Sequence, residues 1–201
     1  MNTRDYKIFR AGHFYHIYNR GDNRENIFLD DQDFAAFLIR LKVALGISVK
    51  STLRIKPFPA DSFTIAAYCL MPNHFHFLVR QNADASIGDL IKKLTTSYVK
   101  YFNAKHKRIG NLFQDTFKAK LIDSDSYLSY ITAYIHNNPT DPFSYAYSSL
   151  PEYIGTRNGN LCNPEFILGF FKGNKELYKS FVQNYTLKDH EKIKYLVFDE
   201  D

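Results

Sequence analysis

The spacing of hydrophobic positions changes several times along the chain, and each change marks an element. Residues 13–19, HFYHIYN, are aromatic and β-branched and predict a first strand. Arg20-Gly21-Asp22-Asn23 breaks it. Asp30 and Asp31 are helix-start residues, and Phe34, Phe37, Leu38, Leu41, Val43 and Leu45 follow at helical spacing until Gly46. Residues 63–71 (FTIAAYCLM) and 74–80 (HFHFLVR) are two strand-like runs separated by the turn Pro72-Asn73, which predicts an antiparallel hairpin. Ala85-Ser86 opens a second helix, apolar at Ile87, Leu90, Ile91, Leu94, Tyr98 and Phe102, that frays near Lys107 to Gly110. Residues 112–122, LFQDTFKAKLI, predict a fourth strand. Ser124 caps a third helix through Tyr127, Tyr130, Ile131, Tyr134 and Ile135. Asn138-Pro139 ends it, because a residue before proline is pushed out of the helical region.

The order is β-α-β-β-α-β, the α+β ferredoxin-like arrangement with an antiparallel sheet, followed by the tyrosine-bearing helix. Residues 1–150 read as one domain and 151–201 as a helical appendage, with helices around 164–171 and 174–185. In this topology the first and third strands are central. A helix after the fourth strand can therefore lie across the sheet above them.

With 45% hydrophobic and 16% aromatic residues, the chain is folded rather than disordered. Net charge is +5, and its distribution matters more than its size. Residues 91–120 carry eight Lys or Arg against one acid, Asp115, interleaved with Tyr98, Tyr101, Phe102, Phe113 and Phe117. Such a stretch can follow a phosphate backbone and stack bases; it reads equally as a solvated helix face over a core. Asp199, Glu200 and Asp201 make the C-terminus acidic. Cys69 and Cys162 fit no Cys-x-x-Cys pattern and are expected as reduced thiols. Met1 to Arg10 is polar and no apolar run approaches a membrane span, so a cytoplasmic protein is expected, with no membrane partner.

Two patterns carry chemistry. His74-Phe75-His76 lies on the third strand, where side chains alternate faces, so both imidazoles point one way. Such a pair can bind a divalent metal, or can be two unrelated surface histidines. Tyr134 and Asn138 lie four residues apart on one helix face. A tyrosine hydroxyl can be a covalent nucleophile, and an amide oxygen can complete a metal's ligand set. Spacing alone favours a core-facing stripe of Tyr127, Tyr130 and Tyr134, with Asn138 as a helix-ending residue.

The run Tyr68-Cys69-Leu70-Met71-Pro72-Asn73-His74-Phe75-His76-Phe77-Leu78-Val79 resembles the signature of the HUH single-strand nucleases. More closely it resembles the REP-associated tyrosine transposases and their single-tyrosine insertion-sequence relatives. Asn19 to Arg24 with Ile27-Phe28, Gly110 to Lys118, and Tyr134-Ile135-His136-Asn137-Asn138-Pro139 are similar to further segments of that family, in the same order. The chain departs from the family after Pro139, where Thr140-Asp141-Pro142-Phe143 stands in place of the more usual Val and nearby Gly.

The resemblance implies a transposase and single-strand DNA endonuclease that cleaves and rejoins its substrate. His74, His76 and Asn138 would bind Mg²⁺ or Mn²⁺, and Tyr134 would form a 5′-phosphotyrosine link, leaving a 3′-hydroxyl. The substrate would be single-stranded DNA containing a hairpin. Some relatives are homodimers that supply the tyrosine in trans, and others are monomers. Arg20, Lys93, Lys100, Lys118 and Lys120, in or beside the basic stretch, are candidate phosphate contacts; each could equally be a solvated charge. Two other readings compete. One is a non-catalytic, domesticated single-strand nucleic-acid-binding protein, since the same element order serves RNA-recognition modules. The other is a metal-dependent hydrolase, for which two His and one amide are a weak pattern.

Overall fold

The computed structural model describes residues 8–197. Most of the polar N-terminal stretch and the acidic Asp199, Glu200 and Asp201 lie outside the described residues. The sheet contains β1 (Phe14–Arg20), β2 (Phe63–Met71), β3 (His74–Gln81) and β4 (Lys118–Ile122), in the order β2-β3-β1-β4 with every neighbouring pair antiparallel. This is the ferredoxin-like sheet that the element order predicts, with β1 and β3 central.

The helices form where the sequence supplies caps. α1 (Asp31–Ala44) starts on Asp30, whose side chain accepts from the Asp33 N–H. α2 (Ile87–His106) starts on Ser86 and ends at Lys107 in the left-handed region. Phe37 of α1 packs against Phe75 at 5.3 Å, Phe77 at 6.2 Å and Tyr98 of α2 at 4.9 Å between ring centroids. The odd-numbered side chains of β3 thus face the α1/α2 layer. α3 (Asp125–His136), capped by Ser124, crosses the opposite face.

The predicted fourth strand is realised only in part. Residues 112–114 bond to the end of β1 and the turn after it, through Asp22 N to Leu112 O (3.0 Å) and Gln114 N to Arg20 O (3.1 Å). Residues 115–117 then loop out, held by Asn19 Nδ2 donating to Asp115 O at 3.1 Å. Regular pairing resumes at Lys118.

The C-terminal segment packs on the tyrosine-helix side. It contains α4 (Leu150–Ile154), α5 (Glu165–Gly169), α6 (Lys175–Gln183) and α7 (Leu187–Ile193). It also covers the outer edge of β2: Leu70 N donates to Tyr147 O, Ser149 N to Tyr68 O and Asn163 N to Ile65 O, each at 2.9 Å. A register shift between Ile65 and Ala67 takes Ala66 out of the ladder. The Ala66 carbonyl accepts instead from Tyr153 Oη (2.7 Å) and Cys162 Sγ (2.9 Å). Cys69 and Cys162 are both buried free thiols. No described helix is long and apolar enough to cross a membrane.

Candidate active site

The turn before β3 sets the position of the His pair. Pro72 O accepts from Ile27 N (2.8 Å) and Phe28 N (3.0 Å), and Asn73 O accepts from Gly21 N (2.8 Å). The segment after β1 is thereby tied to the residues that precede His74. Asn73 Nδ2 points to Arg24 O at 3.4 Å, which turns its Oδ1 toward His74 Nδ1 at 2.7 Å. An amide oxygen only accepts, so His74 Nδ1 carries the hydrogen. The other ring nitrogen, Nε2, faces a second amide oxygen. It lies 2.7 Å from Asn138 Oδ1, which is also an acceptor. A neutral imidazole has one N–H and can donate to only one of the two oxygens, so the pair of contacts calls for a second proton or a metal cation.

His76 lies beside His74 on the same face, with ring centroids 5.0 Å apart. Its Nδ1 is 2.9 Å from Nε2 of His16, and its buried Nε2 has no hydrogen-bond partner among the described residues. Burial, reinforced by His16 and His74, holds the His76 pKa well below the ordinary imidazole value, so the ring is neutral. His16 is fully buried, and burial lowers its pKa to about 4 even though a bond to the Leu196 carbonyl opposes the shift. The unpartnered His76 Nε2 and a His74 ring set between two amide oxygens, both at positions the sequence marks as ligands, fit a divalent cation. Among the described residues no group of three or more His, Cys, Asp or Glu side chains is arranged to hold a metal. A metal at this pair would therefore use the Asn138 amide.

α3 brings Tyr134 to the same place within one chain. Its ring centroid is 5.5 Å from that of His76 and 5.9 Å from that of His16, edge-on to both. His190 of α7 also packs against it at 5.5 Å, and Tyr134 is 9% exposed. The other tyrosines of the helix lie elsewhere. Tyr127 meets Tyr195 at 5.9 Å, while Tyr130 meets Phe181 at 5.5 Å and takes a bond from Lys192 Nζ at 3.1 Å. The stripe thus divides, with Tyr134 beside the histidines and the other two under the C-terminal helices.

The family model for IS200-like transposases matches residues 12–138, more than half of the chain, from just before β1 to Asn138. The chain belongs to the IS200-like transposase family. Two solved structures resemble this transposase. A REP-associated tyrosine transposase, solved bound to a REP hairpin, is 16% identical; the match covers 78% of this chain and 92% of that one, with a TM-score of 0.55. A putative transposase from Deinococcus radiodurans R1 is 17% identical, with 68% and 97% covered and a TM-score of 0.42. At these identities the likeness bears on the fold alone. No curated protein matches the sequence.

The basic candidates of the transposase fall on two faces. Arg20 pairs with His74, Lys118 with Tyr18 and Lys120 with His16 in the strand registers, so their side chains share the face of the His pair. Arg20 Nε donates to Gln114 Oε1 at 2.6 Å, and Lys118 and Lys120 are exposed. Lys93 and Lys100 lie on α2, in the opposite layer. They line a groove of about 670 Å³ with Arg54, Lys56 and Lys92. Lys93 bonds to Lys56 O at 2.7 Å and lies over the Phe58 ring at 3.8 Å.

Sequence reasoning missed two residues that touch the candidate ligands. His16 sits at an alternating position of the first predicted strand, two residues before Tyr18 and four before Arg20. That spacing was the available signal that it shares a face with the central pair. Asn73 was read only as a turn residue, although a turn amide next to a candidate ligand can also orient its ring.

Proposed function

We propose that this transposase cleaves and rejoins single-stranded DNA through a covalent 5′-phosphotyrosine at Tyr134, with Mg²⁺ or Mn²⁺ held by His74, His76 and Asn138. The observation that carries this reading is the approach of Tyr134 to His76, 5.5 Å between rings within one chain, on the face where the unpartnered Nε2 lies. It supports action in cis, with no tyrosine needed from a second copy. All proposed ligands and the nucleophile fall within residues 1–150, proposed as the catalytic domain, with 151–201 as its helical appendage.

A bound divalent cation supplies Lewis-acid polarisation of the scissile phosphate and orients it for in-line attack. The chain's own residues do the rest. His74 and His76 present neutral nitrogen donors, and Asn138 presents an oxygen. Tyr134 supplies the nucleophile: its Oη–P bond forms as the P–O3′ bond breaks. The phenol gives up a proton, and the leaving 3′-oxygen takes one. A later 3′-hydroxyl reverses these steps, so joining needs no outside energy source. Arg20, Lys118 and Lys120 flank this face and would neutralise the phosphates of the reacting strand. Lys93 and Lys100, on the far side of the sheet, would hold a more distant part of the DNA. The REP hairpin bound by the similar transposase suits that division, and we infer a hairpin-containing substrate.

The test is incubation of a hairpin-containing single strand with Mn²⁺. The wild-type protein is expected to form a covalent protein–DNA adduct, and Tyr134→Phe to form none while still binding the strand. An undiminished adduct in Tyr134→Phe would overturn the assignment of the nucleophile and turn attention to Tyr130 and Tyr127.

A further inference from the structure

The imidazole of His16 is buried behind the metal-side residues, where it can neither touch a substrate nor bind a cation directly. Its Nδ1 is 2.7 Å from the backbone carbonyl of Leu196, and its Nε2 is 2.9 Å from Nδ1 of His76. The two rings are nearly parallel, 16° apart with centroids at 5.2 Å.

The hydrogens in this chain can be placed by elimination. A carbonyl oxygen only accepts, so His16 Nδ1 carries its hydrogen. His16 is fully buried with no carboxylate bonded to it, so the ring is neutral and its Nε2 is a lone pair. His76 Nδ1 must therefore donate to it. A neutral His76 with its hydrogen on Nδ1 has a bare lone pair on Nε2, the buried atom that lacks a partner. The direction of the whole relay is fixed at one end by the Leu196 carbonyl, far along the chain in the turn that follows α7.

We propose that His16 is a positioning residue that holds His76 in the Nδ1–H tautomer, with Nε2 free as a metal donor, and that Leu196 sets its polarity. The proposal rests on the reading of His76 as a ligand. Metal-binding histidines commonly donate their second ring N–H to an oxygen acceptor, which fixes the tautomer and the ring orientation. Here another imidazole takes that part. Without an acceptor at Nδ1, His76 can place its hydrogen on Nε2 and block the donor atom. His74 is served by Asn73 in the same way (2.7 Å), so each histidine of the pair has its own partner.

The experiment uses the full chain labelled with ¹⁵N at histidine, and the variants His16→Phe and His16→Gln. Long-range ¹H–¹⁵N spectra report which ring nitrogen of His76 is protonated, and calorimetric titration reports Mn²⁺ affinity. In the metal-free wild type His76 should be protonated at Nδ1 and bare at Nε2. His16→Phe should move the hydrogen toward Nε2 and weaken Mn²⁺ binding by roughly 10–100-fold, the usual effect of losing such a partner. His16→Gln retains an oxygen acceptor and should keep the wild-type tautomer and an affinity within a few-fold. A wild-type His76 protonated at Nε2 overturns the relay, even if neither variant folds. So does a folded His16→Phe protein with unchanged tautomer and unchanged affinity. A wild type with the stated tautomer but no Mn²⁺ binding overturns the metal reading instead, and the two failures are separate readouts.

Discussion

Gly21 is the residue at which one added carbon would disturb the turn that carries the candidate ligand His74. A Cβ there would sit 2.0 Å from Glu25 O, a backbone atom that cannot swing away. The Gly21 N–H also holds Asn73 O, next to the amide that orients His74. Gly21→Ala should therefore destabilise the fold by roughly 1–3 kcal/mol and weaken Mn²⁺ binding as well. Urea denaturation and metal titration measure the two effects; an unchanged midpoint with unchanged affinity would mean that the turn does not position His74. At this scale the sequence was informative where chemistry depends on strand parity. His74 and His76 share a face because one residue separates them. It was silent where a residue acts through a distant backbone atom. Nothing in the pattern around Leu196 marks its carbonyl as the partner of His16.

At the level of elements, α1 and α2 are joined through a buried carboxylate. Asp33 is fully buried, and its side chain accepts from Leu29 N, Lys105 Nζ and His106 Nε2, each at 2.9 Å. Removing it leaves the Leu29 N–H and His106 without this acceptor, while Lys105 keeps Asp30 Oδ1 at 2.6 Å. Asp33→Ala should cost roughly 1–3 kcal/mol, the usual effect of leaving a buried donor without its acceptor, measured as a lowered denaturation midpoint; a loss below about 0.5 kcal/mol would show that solvent replaces the carboxylate. Helix starts were legible because Asp30, Ser86 and Ser124 each cap a backbone N–H. The beginning of β4 was not, because Phe113 and Phe117 have strand-like composition while serving the loop and its contacts. α4, α5 and α7 are five, five and seven residues long, too short for a helical period to emerge, and the helix expected at 164–171 overruns α5 at both ends. α7 did carry a readable sign, the reciprocal cap between Thr186 and Asp189.

At the scale of the whole molecule, a buried histidine ties the tyrosine helix to α6. His136 of α3 is bonded to Tyr178 Oη of α6 (2.7 Å) and to Ser149 Oγ (2.8 Å), and burial lowers its pKa to about 3. In the unfolded chain an imidazole titrates near 6.5. Between those values the unfolded state binds a proton that the folded state refuses, so stability is lost as pH falls through this window. His136→Gln should flatten that dependence by about 1.4 kcal/mol per pH unit; identical slopes at pH 4–6 would exclude His136 as a contributor. Charge is the second whole-molecule property. Replacing Lys118 or Lys120 with Ala should each reduce the slope of log affinity against log salt by about 0.7 for a single strand, and a slope unmoved by both would remove β4 from the DNA path. These lysines have another consequence. The outer edge of β2 is covered by residues 147–149 and 163, whereas no described strand pairs with the outer edge of β4. An open edge invites the edge of another molecule, and short, lysine-bearing strands discourage it. The charges proposed to draw in nucleic acid would thus also keep copies of the protein apart. The double variant should show self-association by light scattering at concentrations where the wild type stays dispersed.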